Sequence, residues 1–211
     1  MKMLLIGATG MIGQRVLAEA LRRGHTVTAV ARDTSKLTGQ GPNVAARQAD
    51  LTDTKAVAAL VPGHDVVVSA FGPPRGREGL VVDAARTLVG AVAAAKPSPR
   101  LIVVAGAGIL EVAPGVRLID APVFPADLKP IAQAHIDAYP VYESSGVDWT
   151  FFAPPALIQP GERTGKYRSG ADQLIADAAG NSAISAEDYA VALLDEIEAP
   201  KFRRRRMTAA Y

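Results

Sequence analysis

The 211-residue sequence predicts an α/β fold: a doubly wound, parallel sheet with helices on both faces. Three observations carry that prediction. Short β-type apolar runs alternate with helix-period segments from the first residue to about Ala105. A glycine turn separates the first apolar run from the first helical segment, as expected where a strand feeds a crossover helix. The composition, 49% apolar and 21% charged, is that of an ordinary globular chain. A chain of this length buries one sizeable core and only marginally two. Residues 1–211 are therefore expected to form a single domain, with residues from about 109 to 170 contributing loops on one side.

The elements follow in order. "MLLI", Met3 to Ile6, is the first strand. A helix runs from about Met11 to Arg23, with Val16, Leu17, Ala20 and Leu21 at helical spacing, and Gly24 stops it. "TVTAVA" is the second strand and "NVAARQAD" the third; "DTKAVAALV" is a short helix that Asp53 can cap. The continuous valines of "DVVVSA", Asp65 to Ala70, suit a fourth strand buried on both faces. The loop "FGPPRGREG" leads to a helix over Leu80–Ala95, and "PRLIVVAGAG" is a fifth strand running into a second glycine turn. Beyond Gly108, "VAPGVRLIDAPVFPAD" is punctuated by prolines and is expected to be a loop. The segment Ala126–Thr150 supplies a helix and then a sixth strand, "DWTFFAPP". "QPGERTGKYRSG" is expected as a loop with a small extended piece, and "AEDYAVALLDEIE" as an amphipathic helix. "RRRRMTAAY" is the last strand, placed at a solvated sheet edge, with Arg203 and Arg205 on one face and Arg204 and Arg206 on the other.

Composition also narrows the chemistry. The net charge of +2 gives little support for broad binding to nucleic acid. With no cysteine, thiolate catalysis, disulfides and Cys-ligated zinc are excluded. His25, His64 and His135 are not spaced as ligand pairs, so no metal site is expected. The apolar run at the N-terminus is too short for a secretory signal, and nothing approaches the ~18 apolar residues of a membrane span. A cytoplasmic location is the expectation.

The glycine turn "GATGMIG" places Gly7, Gly10 and Gly13 between strand and helix, with Ala8, Thr9, Met11 and Ile12 completing it. Such glycines allow a tight turn, close approach of backbone to a pyrophosphate, and close packing of helix on strand. The spacing is Gly-x-x-Gly-x-x-Gly rather than Gly-x-Gly-x-x-Gly, but its context between a strand and a helix points to a dinucleotide site. At the end of the second strand, "AVARDTSK" puts Arg32 where a 2′-phosphate would lie and Asp33 just beyond, which favours NADP over NAD. Asp50 and Leu51 end the third strand on the adenine side. Ala70, Phe71 and Gly72 end the fourth, on the nicotinamide side.

Together "GATGMIG", "ARDTSKL", "ADLTD", "VVVSAFG", "VVAGAG", "GVDWTFFAPP", "PGERTGKYR" and "ISAEDYAVALLDEIE" resemble the atypical short-chain dehydrogenase/reductases. The likeness covers essentially the whole chain. It is greatest to the NAD(P)H-binding group that includes NADH-flavin reductase-like, biliverdin reductase B-like and NmrA-like proteins. That resemblance implies a Rossmann-like NAD(P)-binding domain with a small C-terminal extension on the substrate side. Typical reductases of the superfamily carry Tyr-x-x-x-Lys on the helix before the sixth strand, where the phenol protonates a developing alkoxide. By the spacing of similar proteins the Lys slot falls near His135 and the Tyr slot near Ile131, and Lys129, Tyr139 and Tyr142 meet neither. Ile109 stands where many relatives have Ser.

A flavin, quinone or similar flat acceptor removes the need for that donor, since hydride can pass to a stacked ring and water can supply the proton. Phe71, Pro73, Ile109, Leu110, Phe124 and Pro154 are the expected apolar lining. His135 is the one side chain of the region that titrates near neutrality, and is expected as an ordinary helix-surface histidine with a weaker claim to catalysis. "PGERTGKYR" either closes over the substrate, with Arg163 and Lys166 meeting phosphate, or is a surface hairpin. Two further readings stand beside the reductase: an NmrA-like NADP(H)/NAD(H) sensor acting through a protein partner, and an epimerase or dehydratase using His135 as base. The expected assembly is a monomer or homodimer without nucleic-acid or membrane partners.

Overall fold

The computed structural model describes residues 1–211. In chain order the elements are β1 (Lys2–Ile6), α1 (Met11–Arg22), β2 (Thr26–Ala31), β3 (Val44–Gln48), α2 (Thr54–Leu60), β4 (Val66–Ser69), α3 (Leu80–Ala94), β5 (Arg100–Val104), β6 (Glu111–Ala113) and β7 (Val116–Arg117). They continue as α4 (Lys129–Glu143), β8 (Trp149–Ala153), β9 (Leu157–Gln159), β10 (Arg168–Gly170), β11 (Ala183–Ser185), α5 (Ala186–Glu198) and β12 (Arg205–Ala210). The main sheet has the order β10-β12-β8-β5-β4-β1-β2-β3 and is parallel except for β10. From β1 the chain builds outward through β2 and β3; from β4 it builds the other way. The crevice between the carboxyl ends of β1 and β4 is thus the topological switch point.

Alternate residues of each central strand feed two cores. Leu4, Ile6, Val67, Leu101, Val103 and Phe151 pack under α2, α3 and α4 with Val57, Leu88 and Ala138. Met3, Leu5, Val66, Val68, Ile102 and Phe152 pack under α1 and α5 with Leu17 and Leu193. Val66, Val67 and Val68 are completely buried, which is why β4 is an unbroken valine run rather than an alternation. Each such side chain contributes about 1.5–3 kcal/mol by leaving water. Asp53 caps α2, its carboxylate accepting the Lys55 and Ala56 N–H groups. No helix is long and apolar enough to cross a membrane.

Two expectations are corrected. The stretch after Gly108 is not all loop, because Glu111–Ala113 and Val116–Arg117 form an antiparallel hairpin turned at Pro114-Gly115, where Gly115 takes φ of 73°. The final strand is not the sheet edge, because β10 pairs antiparallel beyond it, Ser169 opposite Ala209. The arginine run is also divided. Arg203 pairs with Asp148, Arg204 sits at φ 53° with its guanidinium donating to the Ser145 carbonyl, and only Arg205 and Arg206 lie within the strand. Arg206 bridges to Asp172 at 2.6 Å and lies 5.4 Å from the centroid of the Tyr139 ring.

Candidate functional site

The site begins at the turn after β1. Gly7 takes φ of 80°, and a Cβ there would stand 2.4 Å from the Ala70 carbonyl oxygen of the neighbouring strand end. A Cβ on Gly13 would come within 2.0 Å of the Gly7 carbonyl oxygen, so this glycine lets α1 sit directly on the turn. Gly10 differs: the nearest atom to its Cβ position is the Gly7 oxygen at 3.4 Å, and it caps α1 without a side chain. No acidic residue occupies the first turn of α1. The partial positive charge of that helix end and its first N–H groups therefore meet no anion from the chain itself.

These residues wall a crevice of about 150 Å³ with the ends of β2, β3 and β4. Gly7, Thr9, Gly10, Arg32, Asp50, Leu51, Ala70, Phe71 and Gly72 all line it, as the sequence placed them. Ile6, Val30, Ala31 and Ala49 complete the wall. Four of the expected cofactor residues do not line it. Ala8 is completely buried beneath the turn, Gly13 packs against Gly7, and Met11 and Ile12 belong to the first turn of α1.

Charge at the crevice is directional. Asp33 turns back to accept the Ser35 N–H at 2.9 Å, and that bond lowers its pKa. Arg32, by contrast, is exposed at the crevice wall. Asp50 accepts both the N–H and the Oγ1 hydroxyl of Thr52 at 2.9 Å. Those bonds hold its carboxyl below the usual range, with Arg32 and Arg77 adding to the effect. Arg77 was missed in the sequence: it belongs to "FGPPRGREG", where nothing but its position after the fourth strand could have marked it.

The other end of the site lies where β4 and β5 leave the sheet. Ser69 pairs with Val103, so the two strands end together and their following segments, Ala70–Gly72 and Ala105–Gly106, leave the same edge of the sheet. Phe71, Pro73 and Phe124 are half-buried, and of the three Phe71 lines the crevice. Ile109, Leu110 and Pro154 are buried, Leu110 completely. For Ile109 and Leu110 the cause is a tight turn at Ala107–Ile109, which presses Gly108 so close to Ala132 and Ile119 that a Cβ would lie 2.8 and 3.3 Å away. Above this end, Arg75 of the β4–α3 loop approaches Asp127 at 3.8 Å.

The helix α4 does not offer its tyrosines here. Tyr139 packs edge-on against Trp149 and Phe151, with centroids 5.7 and 5.2 Å apart, and Tyr142 is buried 5.6 Å from the Phe151 centroid. Burial pushes the Tyr142 phenol above its ordinary range. Lys129, the first residue of α4, is exposed. His135 is not the surface histidine expected, being only 8% exposed, and burial lowers its pKa to about 4. Arg163 forks onto Glu19 of α1 at 2.9 and 3.1 Å. Its neighbours Thr164 and Gly165 donate to Asp188 of α5 at 2.5 and 2.7 Å, which fastens this segment along the two helices.

Comparison with known proteins bears on these features. A family described as NAD(P)H-binding matches residues 7–200. A Burkholderia pseudomallei structure, described provisionally as an exported protein, is 51% identical, with a TM-score of 0.89 over 100% of this chain and 99% of that one. A Bacteroides thetaiotaomicron structure, described provisionally as an epimerase, is 39% identical with a TM-score of 0.92, covering 100% and 96% of the two chains. A Streptococcus pneumoniae structure, described provisionally as an NADH-flavin reductase, is 30% identical with a TM-score of 0.88, covering 100% and 99%.

Proposed function

This chain belongs to the NAD(P)H-binding family, and from that membership we propose that it is an NADPH-dependent reductase delivering hydride to a flavin, quinone or similar flat acceptor. The single observation that supports the reading is the crevice at the strand ends, lined by Gly7, Gly10, Arg32, Asp50 and Phe71, while Tyr139 and Tyr142 of α4 pack against Trp149 and Phe151 instead of lining it. The crevice fits the cofactor on its own residues. Gly10 presents an open side at an uncapped helix N-terminus, which suits a pyrophosphate. Arg32 faces the crevice while Asp33 is occupied by Ser35, which suits a 2′-phosphate over bare ribose hydroxyls. When bound, the reduced nicotinamide supplies the hydride.

The chain's part is positioning. Gly7, Thr9 and Gly10 hold the pyrophosphate, Arg32 the 2′-phosphate, Asp50 and Leu51 the adenosine, and Ala70, Phe71 and Gly72 the nicotinamide side. Phe71, Pro73 and Phe124 give a flat ring an apolar surface and thin the water around it. The proton needed after hydride transfer comes from solvent. Kinship with the Streptococcus protein supports a flavin-like acceptor.

Calorimetric titration with NADPH and NADH, followed by steady-state oxidation of the tighter ligand with FMN, riboflavin and quinones, tests the reading. Tighter NADPH binding and turnover with at least one flat acceptor are expected. Tight binding without turnover on the whole panel would instead establish the sensor reading, in which the same crevice reports NADP(H) to a protein partner.

A further inference from the structure

One buried polar group has no task in the reaction as proposed. His135 is 8% exposed, and its Nδ1 is enclosed without any hydrogen-bond partner. An orphaned buried polar atom costs about 1–3 kcal/mol. The other buried positions near it on α4 are alanines, Ala132, Ala134 and Ala138, and none carries that cost. The ring is also tightly seated. A Cβ on Gly106 would lie 3.1 Å from its Cδ2 and 3.4 Å from its Cγ, and Phe151 meets it edge-on with centroids 6.5 Å apart. Glycine at 106 thus leaves room for this imidazole.

The other nitrogen is differently placed. Nε2 is not among the enclosed, unpartnered atoms, and it is bonded to Cδ2, the atom that abuts Gly106. Gly106 is itself half-buried and follows the carboxyl end of β5, which pairs in parallel with β4, whose own carboxyl end leads into Ala70, Phe71 and Gly72 of the crevice wall. The ring edge bearing Nε2 therefore opens toward the acceptor end of the crevice. The tautomer follows from the same enclosure: an N–H at Nδ1 would be a donor with no acceptor, the rarer kind of buried orphan, so the hydrogen belongs on Nε2. Burial alone lowers the pKa, and the imidazole stays neutral near pH 7.

We propose that His135 is a catalytic residue of the reductase, its neutral imidazole donating an Nε2–H hydrogen bond to a carbonyl oxygen or ring nitrogen of the acceptor. The inference rests on the reductase reading and adds the substrate class: acceptors whose charge accumulates on such an atom, as in an isoalloxazine or a quinone. Two electrons and one hydrogen arrive as hydride, leaving the acceptor as an anion. His135 stabilises that anion by hydrogen bonding and keeps its own proton, and water then protonates the product. This is electrostatic stabilisation by a preorganised donor, not general acid catalysis.

His135→Leu removes the donor and keeps an apolar core, and His135→Gln returns an N–H close to the Nε2 position. With FMN or a quinone that the wild type reduces, His135→Leu is expected to lower kcat about a hundredfold while leaving the calorimetric affinity for NADP unchanged. His135→Gln is expected to recover most of that loss. A second readout is independent of turnover and of whether a variant folds. In ¹⁵N-labelled wild type, the His135 ring should show the Nε2–H tautomer, and its Nε2 signal should move when FMN is added to the NADP complex. Wild-type kcat in His135→Leu, or an Nδ1–H tautomer, would overturn the inference while the reductase reading stood. Wild type inactive on every acceptor would overturn both.

Discussion

At the scale of single residues, the crevice makes separable demands. Arg32→Ala removes the guanidinium proposed for the 2′-phosphate, an interaction of about 1.5–3 kcal/mol, so KM for NADPH should rise roughly tenfold to a hundredfold while KM for NADH stays put. Equal loss with both nucleotides would assign Arg32 to another role. Gly13→Ala would drive a Cβ to 2.0 Å from the Gly7 carbonyl oxygen, and backbone cannot yield there as a flexible side chain would. It should lower the urea midpoint and weaken dinucleotide binding together, at a cost of about 1–3 kcal/mol or more. His135 gives a pH signature. Its folded pKa is about 4 against an ordinary 6.5, so between those values the unfolded chain binds more protons. Its contribution is complete above pH 6.5 and is lost as the pH falls toward 4, by about 3 kcal/mol in all. His135→Leu should flatten that part of a plot of urea midpoint against pH; an unchanged slope would show that other groups set it.

At the scale of elements, helix α5 is fastened to the sheet by a buried ion pair far from the crevice. Arg100 of β5 pairs with Glu196 and donates to the Glu196 carbonyl at 2.6 Å and the Thr150 hydroxyl at 2.7 Å. Glu196 also accepts the Lys201 and Phe202 N–H groups, each at 2.9 Å. Removing one partner strands the other charge, so Glu196→Ala should cost about 3–5 kcal/mol in denaturant unfolding, and a paired apolar replacement of both should recover much of it. Such elements show where sequence suffices. The valine run of β4 and the amphipathic α5 were legible because burial leaves its period in the residues. The strand β10 was legible only as a small extended piece: Arg168, Ser169 and Gly170 have no apolar alternation, and their pairing with β12 leaves no mark in the residues. The β6–β7 hairpin was hidden by prolines, although Pro114-Gly115 is itself a turn signal.

At the scale of the whole molecule, the sheet order gathers residues from four strand ends into one crevice, and this is why their grouping was legible. Gly7, Arg32, Asp50 and Ala70 each follow a recognisable strand, and the rule for parallel sheets does the rest. The acceptor side was less so. Ile109 and Leu110 follow β5 as expected, yet the turn at Gly108 rotates them into the core. His135 stood on a helix with no partner in sequence reach, and only the approach of Gly106 and Phe151 buries it. On the proposed reading, the molecule that results binds a dinucleotide along one end of its sheet and moves hydride without a protein proton donor. Single-turnover reduction of FMN by the protein-bound complex of 4-deuterated NADPH addresses that directly. A primary isotope effect, no solvent isotope effect, and a rate unchanged between about pH 6 and pH 8 are expected. Absence of flavin reduction, or a rate that follows the titration of a protein acid across that range, would contradict the account.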